Sequence, residues 1–233
     1  MALDAIYDCV PACASETLLV MLPGSGSRPQ DLIDHGFVRE LRSRRLPVDA
    51  AVVDAHLGLY LDRTLSARLA QDVIGPACRK RPVRVWLLGI SLGGMGALLH
   101  ARAHAPAIEG VILLAPFLGA RGTIAEIGRA GGLDHWHPGE IRPEDDERML
   151  LAWLRTHTAS DPARPAIHLG YGTRDRYAAA SAMLASRLPC TQVVTIDGGH
   201  DWATWLALWR RMLDQGLFAA PRAQPPAARL PAA

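Results

Sequence analysis

The sequence predicts an α/β fold, a three-layer α/β/α sandwich built on a mostly parallel sheet. Three observations predict it. Apolar runs of strand length alternate with longer stretches of helical periodicity along most of the chain. One junction, Leu88-Gly89-Ile90-Ser91-Leu92-Gly93, passes from strand to helix through small residues. And 233 residues with a hydrophobic content of 49% fit one domain able to bury most of its apolar surface.

Leu18 to Leu22 is an apolar run closed by Pro23-Gly24, which reads as a buried strand. Residues 30–46 follow as one helix, with Ile33, Phe37 and Leu41 on a common face. Val48 to Ala55 is the next strand. Leu61, Leu65, Leu69, Val73 and Ala77 form a helical stripe that Gly75-Pro76 is expected to kink or end. A strand over 83–89 leads into a helix that Pro106 stops at about residue 104, and Gly110 to Ala115 is a further strand. Residues 116–145 then break the alternation with glycine, proline, histidine and charge. That length exceeds most compact connections, so a short lid is expected there, followed by a helix over 145–157. Alternation resumes with strands at 166–171 and 192–196 around a helix at 178–188. A last helix starts near Asp201, with Trp202, Trp205, Leu206, Trp209, Met212 and Leu213 as its buried stripe. The single domain is expected to span 1–218. The Ala/Pro/Arg-rich tail 219–233 is expected to be disordered.

A formal charge of +2 points to no nucleic-acid surface. Arg42-Ser43-Arg44-Arg45 reads as the solvated end of a helix. Cys9, Cys13, Cys78 and Cys190 match no zinc or redox spacing, and Cys78 and Cys190 read as reduced thiols. No signal segment opens the chain and no run approaches the ~20 apolar residues of a membrane span. A cytoplasmic protein without a membrane span is expected.

Gly89-Ile90-Ser91-Leu92-Gly93 is a G-x-S-x-G motif in the context that gives it meaning. A strand ending there and turning at once into a helix presents the serine hydroxyl at the carboxyl edge of the sheet. A serine hydroxyl is a poor nucleophile at neutral pH. It needs a base within hydrogen-bond reach, and the base needs an orienting carboxylate. Asp175 follows the strand ending at Tyr171, and His200 follows the strand at 192–196, so both fall at the edge that carries Ser91. Asp175 also fits the cap of the following helix. Asp197 is the rival acid, although its place before two glycines suits a turn. His100 and His104 sit on the helix after Ser91 and His168 lies inside a strand, which leaves His200 as the base.

Attack on a carbonyl builds charge on its oxygen, which backbone N–H groups stabilise. Leu92, the first helical residue, supplies one donor. The loop Pro23-Gly24-Ser25-Gly26-Ser27 supplies the other, Ser25 with Gly24 as the alternative. The Walker pattern is absent, so this loop is not a nucleotide cradle. His56 and Tyr60 follow a strand end and are placed either to touch substrate or to fill a surface loop. Phe117 and Trp136 are further candidates for the substrate pocket. Asp134-His135-Trp136-His137 lacks a third strong ligand for a metal, so none is expected. Asp201 reads as a helix cap.

The segment Leu88-Gly89-Ile90-Ser91-Leu92-Gly93-Gly94-Met95-Gly96-Ala97-Leu98 resembles the corresponding segment of esterases and mycolyltransferases of the α/β-hydrolase superfamily. Gly198-Gly199-His200-Asp201-Trp202, with Trp205, is similar to the histidine segment of that group. The likeness spans about residues 15 to 215. It implies a Ser91, Asp175, His200 triad that hydrolyses the ester of a small or medium acyl group through an acyl-enzyme, with no cofactor and a small-molecule acyl substrate as the partner. A thioesterase or acyltransferase on the same residues is the alternative, and a non-catalytic binding protein on this fold is another. The chain departs from the pattern in two ways. Its short amino end implies reduced or missing outer strands, and its 23–27 loop lacks the histidine that often opens the oxyanion segment. The oligomeric state stays open, a homodimer included.

Overall fold

The computed structural model describes residues 2–10, 15–80, 83–157, 161 and 163–218. Cys13 and the tail 219–233 lie outside the described residues. The elements run β1 (Ala5–Asp8), β2 (Thr17–Leu22), α1 (Pro29–Asp34), α2 (Phe37–Ser43), β3 (Val48–Val53), α3 (Leu57–Leu61), α4 (Leu65–Arg68) and α5 (Gly75–Lys80). They continue with β4 (Arg84–Ile90), α6 (Leu92–Ala103), β5 (Ile108–Leu114), α7 (Arg121–Arg129), α8 (Asp146–Arg155), β6 (Ala166–Gly172), α9 (Ala178–Ala185), β7 (Val193–Ile196) and α10 (Trp202–Asp214). The sheet order is β1-β3-β2-β4-β5-β6-β7, and every pairing is parallel except that of β1 with β3.

Both faces of the sheet are covered, which is why its central strands read as unbroken apolar runs. The period of two still sorts their side chains. Leu18, Val20, Leu22, Leu87, Val111 and Leu113 join the core under α6. Leu19, Met21, Trp86, Leu88, Ile112 and Leu114 join the core under α2 and α10. There the Trp209 indole donates to the Phe37 carbonyl at 3.0 Å, tying α10 to α2.

Several expectations are corrected. Residues 30–46 form two helices, because Gly36 takes a φ of +88° between them. The stripe from Leu61 is broken into α3, α4, a π-helical turn at Leu69–Ile74, and α5. Pro76 has no N–H to close the preceding α-turn, and the backbone widens just before it. Residues 116–145 contain α7 and send Ile127, Leu133 and Trp136 into the core under α6. Two of the arginines at the end of α2 are tied down rather than solvated: Arg42 pairs with Asp8 and donates to the Val48 carbonyl, and Arg44 pairs with Glu40 and Asp214. The outer strand at one edge of the sheet is β1, only four residues long. In α10, Leu208 is fully buried while Trp202 and Leu206 are only half-buried. Cys78 and Cys190 are exposed free thiols. Among the described residues no helix is long and apolar enough to cross a membrane.

His100 is buried in α6, with its Nδ1 at 3.1 Å from the Ser66 hydroxyl. Burial first, and the neighbouring His104 second, lower its pKa to about 4. Between pH 6.5 and 4 the unfolded chain therefore holds a proton that the folded chain refuses. Stability present above pH 6.5 is lost as the pH falls through that window. His100 alone should cost about 2 kcal/mol between pH 7 and 5. Urea unfolding of the wild type and of His100→Gln at the two pH values should show a clearly smaller acid loss in the variant.

Candidate active site

Ser91 lies between β4 and α6 with φ +53° and ψ −116°, a strained conformation for a side chain that is not glycine. The neighbouring chain holds it there. The Ser91 N–H donates to the Leu114 carbonyl at the end of β5 (3.1 Å), and its carbonyl accepts from the N–H groups of Gly94 (3.0 Å) and Phe117 (2.9 Å). The small residues of the motif are required by space. A Cβ on Gly93 would strike the carbonyl oxygens of Leu22 and Pro23, and one on Gly89 would strike the backbone of Gly93. Strand, turn and helix pack this closely only without side chains at those positions.

His200 Nε2 lies 2.9 Å from Ser91 Oγ, and His200 Nδ1 lies 2.7 Å from Asp175 Oδ2. The Asp175 side chain is fully buried and that of His200 nearly so. The loops after β6 and β7 bring the last two residues together by crossing closely. Thr173 N–H donates to the Ile196 carbonyl (2.9 Å) and Arg174 N–H to the Gly198 carbonyl (3.0 Å). A Cβ on Gly172 would collide with Gly198, and one on Gly198 would collide with Thr204. Asp175 answers both readings of its sequence position. One carboxylate oxygen holds His200, while the other accepts the Tyr177 N–H at 2.7 Å in the turn before α9. Asp197 does not reach the histidine; it forms an exposed ion pair with Arg174 at 2.7 Å. Asp201 caps α10 by accepting the Thr204 N–H at 2.9 Å.

Comparison at the sequence level finds no matching family model and no matching curated protein. Solved structures do match. Est1E from Butyrivibrio proteoclasticus is 20% identical, with 91% of this chain and 94% of that chain covered and a TM-score of 0.60. S-formylglutathione hydrolase from Staphylococcus aureus is 14% identical over 92% and 96%, with a TM-score of 0.60. A monoacylglycerol lipase of Paleococcus ferrophilus is 15% identical over 92% and 100%, with a TM-score of 0.58. This chain has the α/β-hydrolase fold.

In this α/β-hydrolase fold the remaining candidates separate into two groups. Gly24 lies against the serine: a Cβ there would sit 3.5 Å from Ser91 Cβ, so the loop after β2 borders Ser91, and Ser25 is the next residue of that loop. Leu92 opens α6, where an N–H has no intrahelical acceptor. Phe117 is joined to Ser91 through its N–H, and its ring packs edge-on against Tyr177 at 5.6 Å. His56, Tyr60 and Trp136 go elsewhere. His56 is exposed ahead of α3 and lines a cleft of about 300 Å³ with Asp4, Asp54 and Arg68. The Tyr60 hydroxyl is buried against Gly96 and finds no hydrogen-bond partner among the described residues, and burial raises its pKa. Trp136, read as a pocket residue, is a core residue: its indole donates to Glu126 at 2.9 Å and Arg148 covers its ring. Its neighbours His135 and His137 are exposed, and Asp134 pairs with Arg187.

Sequence reasoning missed two contacts. Tyr177 and Trp205 each meet the His200 ring nearly perpendicularly, at 5.0 and 4.9 Å. Tyr177, two residues after Asp175 on the same loop, carried a usable signal. Trp205 stood in the apolar stripe of α10, and it serves both core and site.

Proposed function

We propose that the protein is a serine hydrolase that cleaves a carboxylic ester of a small or medium acyl group through an acyl-enzyme on Ser91. The observation that carries this reading is the unbroken hydrogen-bonded series from Ser91 Oγ through His200 to the buried Asp175 carboxylate. His200 takes the hydroxyl proton as Ser91 attacks the carbonyl carbon. Asp175 holds Nδ1–H and with it the tautomer that leaves Nε2 free to accept. The N–H groups of Ser25 and Leu92 receive the oxyanion, each donor contributing about 3 kcal/mol in such sites. His200 then protonates the departing alkoxide. A water molecule, deprotonated by the same ring, releases the acid and restores the serine. The structural neighbours include a ferulic acid esterase, an S-formylglutathione hydrolase and a monoacylglycerol lipase, which are compatible with this chemistry.

Stopped-flow mixing with p-nitrophenyl butyrate tests the reading. A burst of nitrophenolate equal to the enzyme concentration, followed by steady turnover, is the expected result wherever deacylation is the slower step. Purified protein that turns over no ester from acetyl to dodecanoyl, and takes no fluorophosphonate label, would remove it. The same acyl series as thioesters, with and without an added alcohol, separates esterase from thioesterase and from acyl transfer.

A further inference from the structure

We propose that Arg176 selects substrates that carry a carboxylate beyond the ester group, so that the bond cleaved at Ser91 belongs to an anionic ester. The proposal rests on the hydrolase reading and adds a substrate class to it. Among the described residues three arginines lie over aromatic rings: Arg148 over Trp136, Arg164 over Trp153 and Arg176 over Tyr177. The first two also hold carboxylates, Glu126 and Asp161. Arg176 is exposed and, among the described residues, pairs with none. The acids flanking it in its own loop region are already committed. Asp175 is turned inward to His200 and to the Tyr177 N–H, and Asp197 is held by Arg174.

The place of this guanidinium is what gives it a role. Its Cζ lies 5.1 Å from the Tyr177 ring centre, and that ring lies 5.0 Å from the His200 ring. The charge is thus no more than about 10 Å from the imidazole, within reach of a carboxylate carried a few bonds from the ester carbonyl. Stacking on Tyr177 restricts the side chain. Its N–H donors remain available in the fork geometry that matches a carboxylate.

Two matched pairs of esters test the proposal, each compared by kcat/KM in wild type, Arg176→Gln and Arg176→Lys. In the acyl-side pair, the p-nitrophenyl monoester of adipate is set against its methyl-capped form. In the alcohol-side pair, the butyryl ester of 4-hydroxybenzoate is set against that of its methyl ester. The expected result is a preference for the acid in one pair. Arg176→Gln lowers that preference about fivefold or more through KM, Arg176→Lys lowers it less, and salt erodes it. An acid-to-neutral ratio that Arg176→Gln leaves unchanged in both pairs overturns the proposal. Turnover of the neutral esters in that case keeps the hydrolase reading intact. Failure of wild type to cleave any of the four, joined by failure on the whole acetyl-to-dodecanoyl series and by absence of fluorophosphonate labelling, removes the hydrolase reading itself.

Discussion

Replacing Ser91 by alanine is expected to lower kcat for p-nitrophenyl butyrate by about five to six orders of magnitude, the scale on which removal of the nucleophile acts in serine hydrolases. Fluorophosphonate labelling should disappear with it. The change deletes one oxygen whose side-chain partner is His200, and it leaves in place the backbone bonds to Leu114, Gly94 and Phe117 that hold the strained turn. Alanine meets the same positive φ as serine does, so the melting temperature should move little. Activity and fold are thereby separated in a single variant. The residue left behind still has Leu92 at the start of α6 and the 23–27 loop beside it, so a trace of rate above the uncatalysed reaction is expected. His200→Ala should cost about as much, and the double variant little more, because the two residues act as one unit. Labelling that survives in Ser91→Ala would place the nucleophile elsewhere in the chain.

The sheet was legible in the sequence because a strand covered on both faces announces itself as an apolar run, as Leu18 to Leu22 and Val111 to Leu114 do. β1 was not. Its four residues, Ala-Ile-Tyr-Asp, sit at the sheet edge with Tyr7 half exposed, so neither length nor alternation distinguishes them from a loop. The helices were legible as faces but not as boundaries. Gly36 sits inside a good helical stripe, and the positive φ that divides α1 from α2 is a tertiary choice. The π-helical turn ahead of Pro76 shows the same limit, since proline forecasts a disturbance without specifying which one.

The site was legible for a different reason. Ser91, Asp175 and His200 each follow a parallel strand, and parallel topology delivers all such loops to one edge. Residues placed by the same rule but without a partner were not sorted by it. His56 and Tyr60 also follow a strand end, yet His56 faces a separate cleft and the Tyr60 hydroxyl is buried on Gly96. Trp136 looked like a pocket residue because its segment is rich in histidine and glycine. Its burial beside Ile127 and Leu133 depends on α7, which the composition of 116–145 concealed.

Asp175→Asn is expected to lower kcat by about four orders of magnitude at neutral pH, as replacement of the acid does in serine triads. The geometry states why. Asp175 Oδ2 accepts from His200 Nδ1 at 2.7 Å, so the proton sits on Nδ1 and the Nε2 lone pair faces Ser91 at 2.9 Å. An asparagine that turns its amide nitrogen to the ring donates where the carboxylate accepted. Nδ1 must then be the unprotonated atom, and Nε2, already protonated, cannot accept the proton of the serine hydroxyl. The second oxygen explains which way the amide turns. Asp175 Oδ1 accepts the Tyr177 N–H at 2.7 Å, so the asparagine keeps its carbonyl there and presents its NH₂ to His200. Folding should therefore survive the change while catalysis does not. Asp197→Asn supplies the control, because its partner is Arg174 at the exposed rim; its rate should stay within a factor of about two. Steady-state rates of both variants over pH 6 to 9, read beside their melting temperatures, decide between the acids. An Asp197 variant that loses activity while the Asp175 variant keeps it would reassign the carboxylate and, with it, the path by which His200 is held toward Ser91.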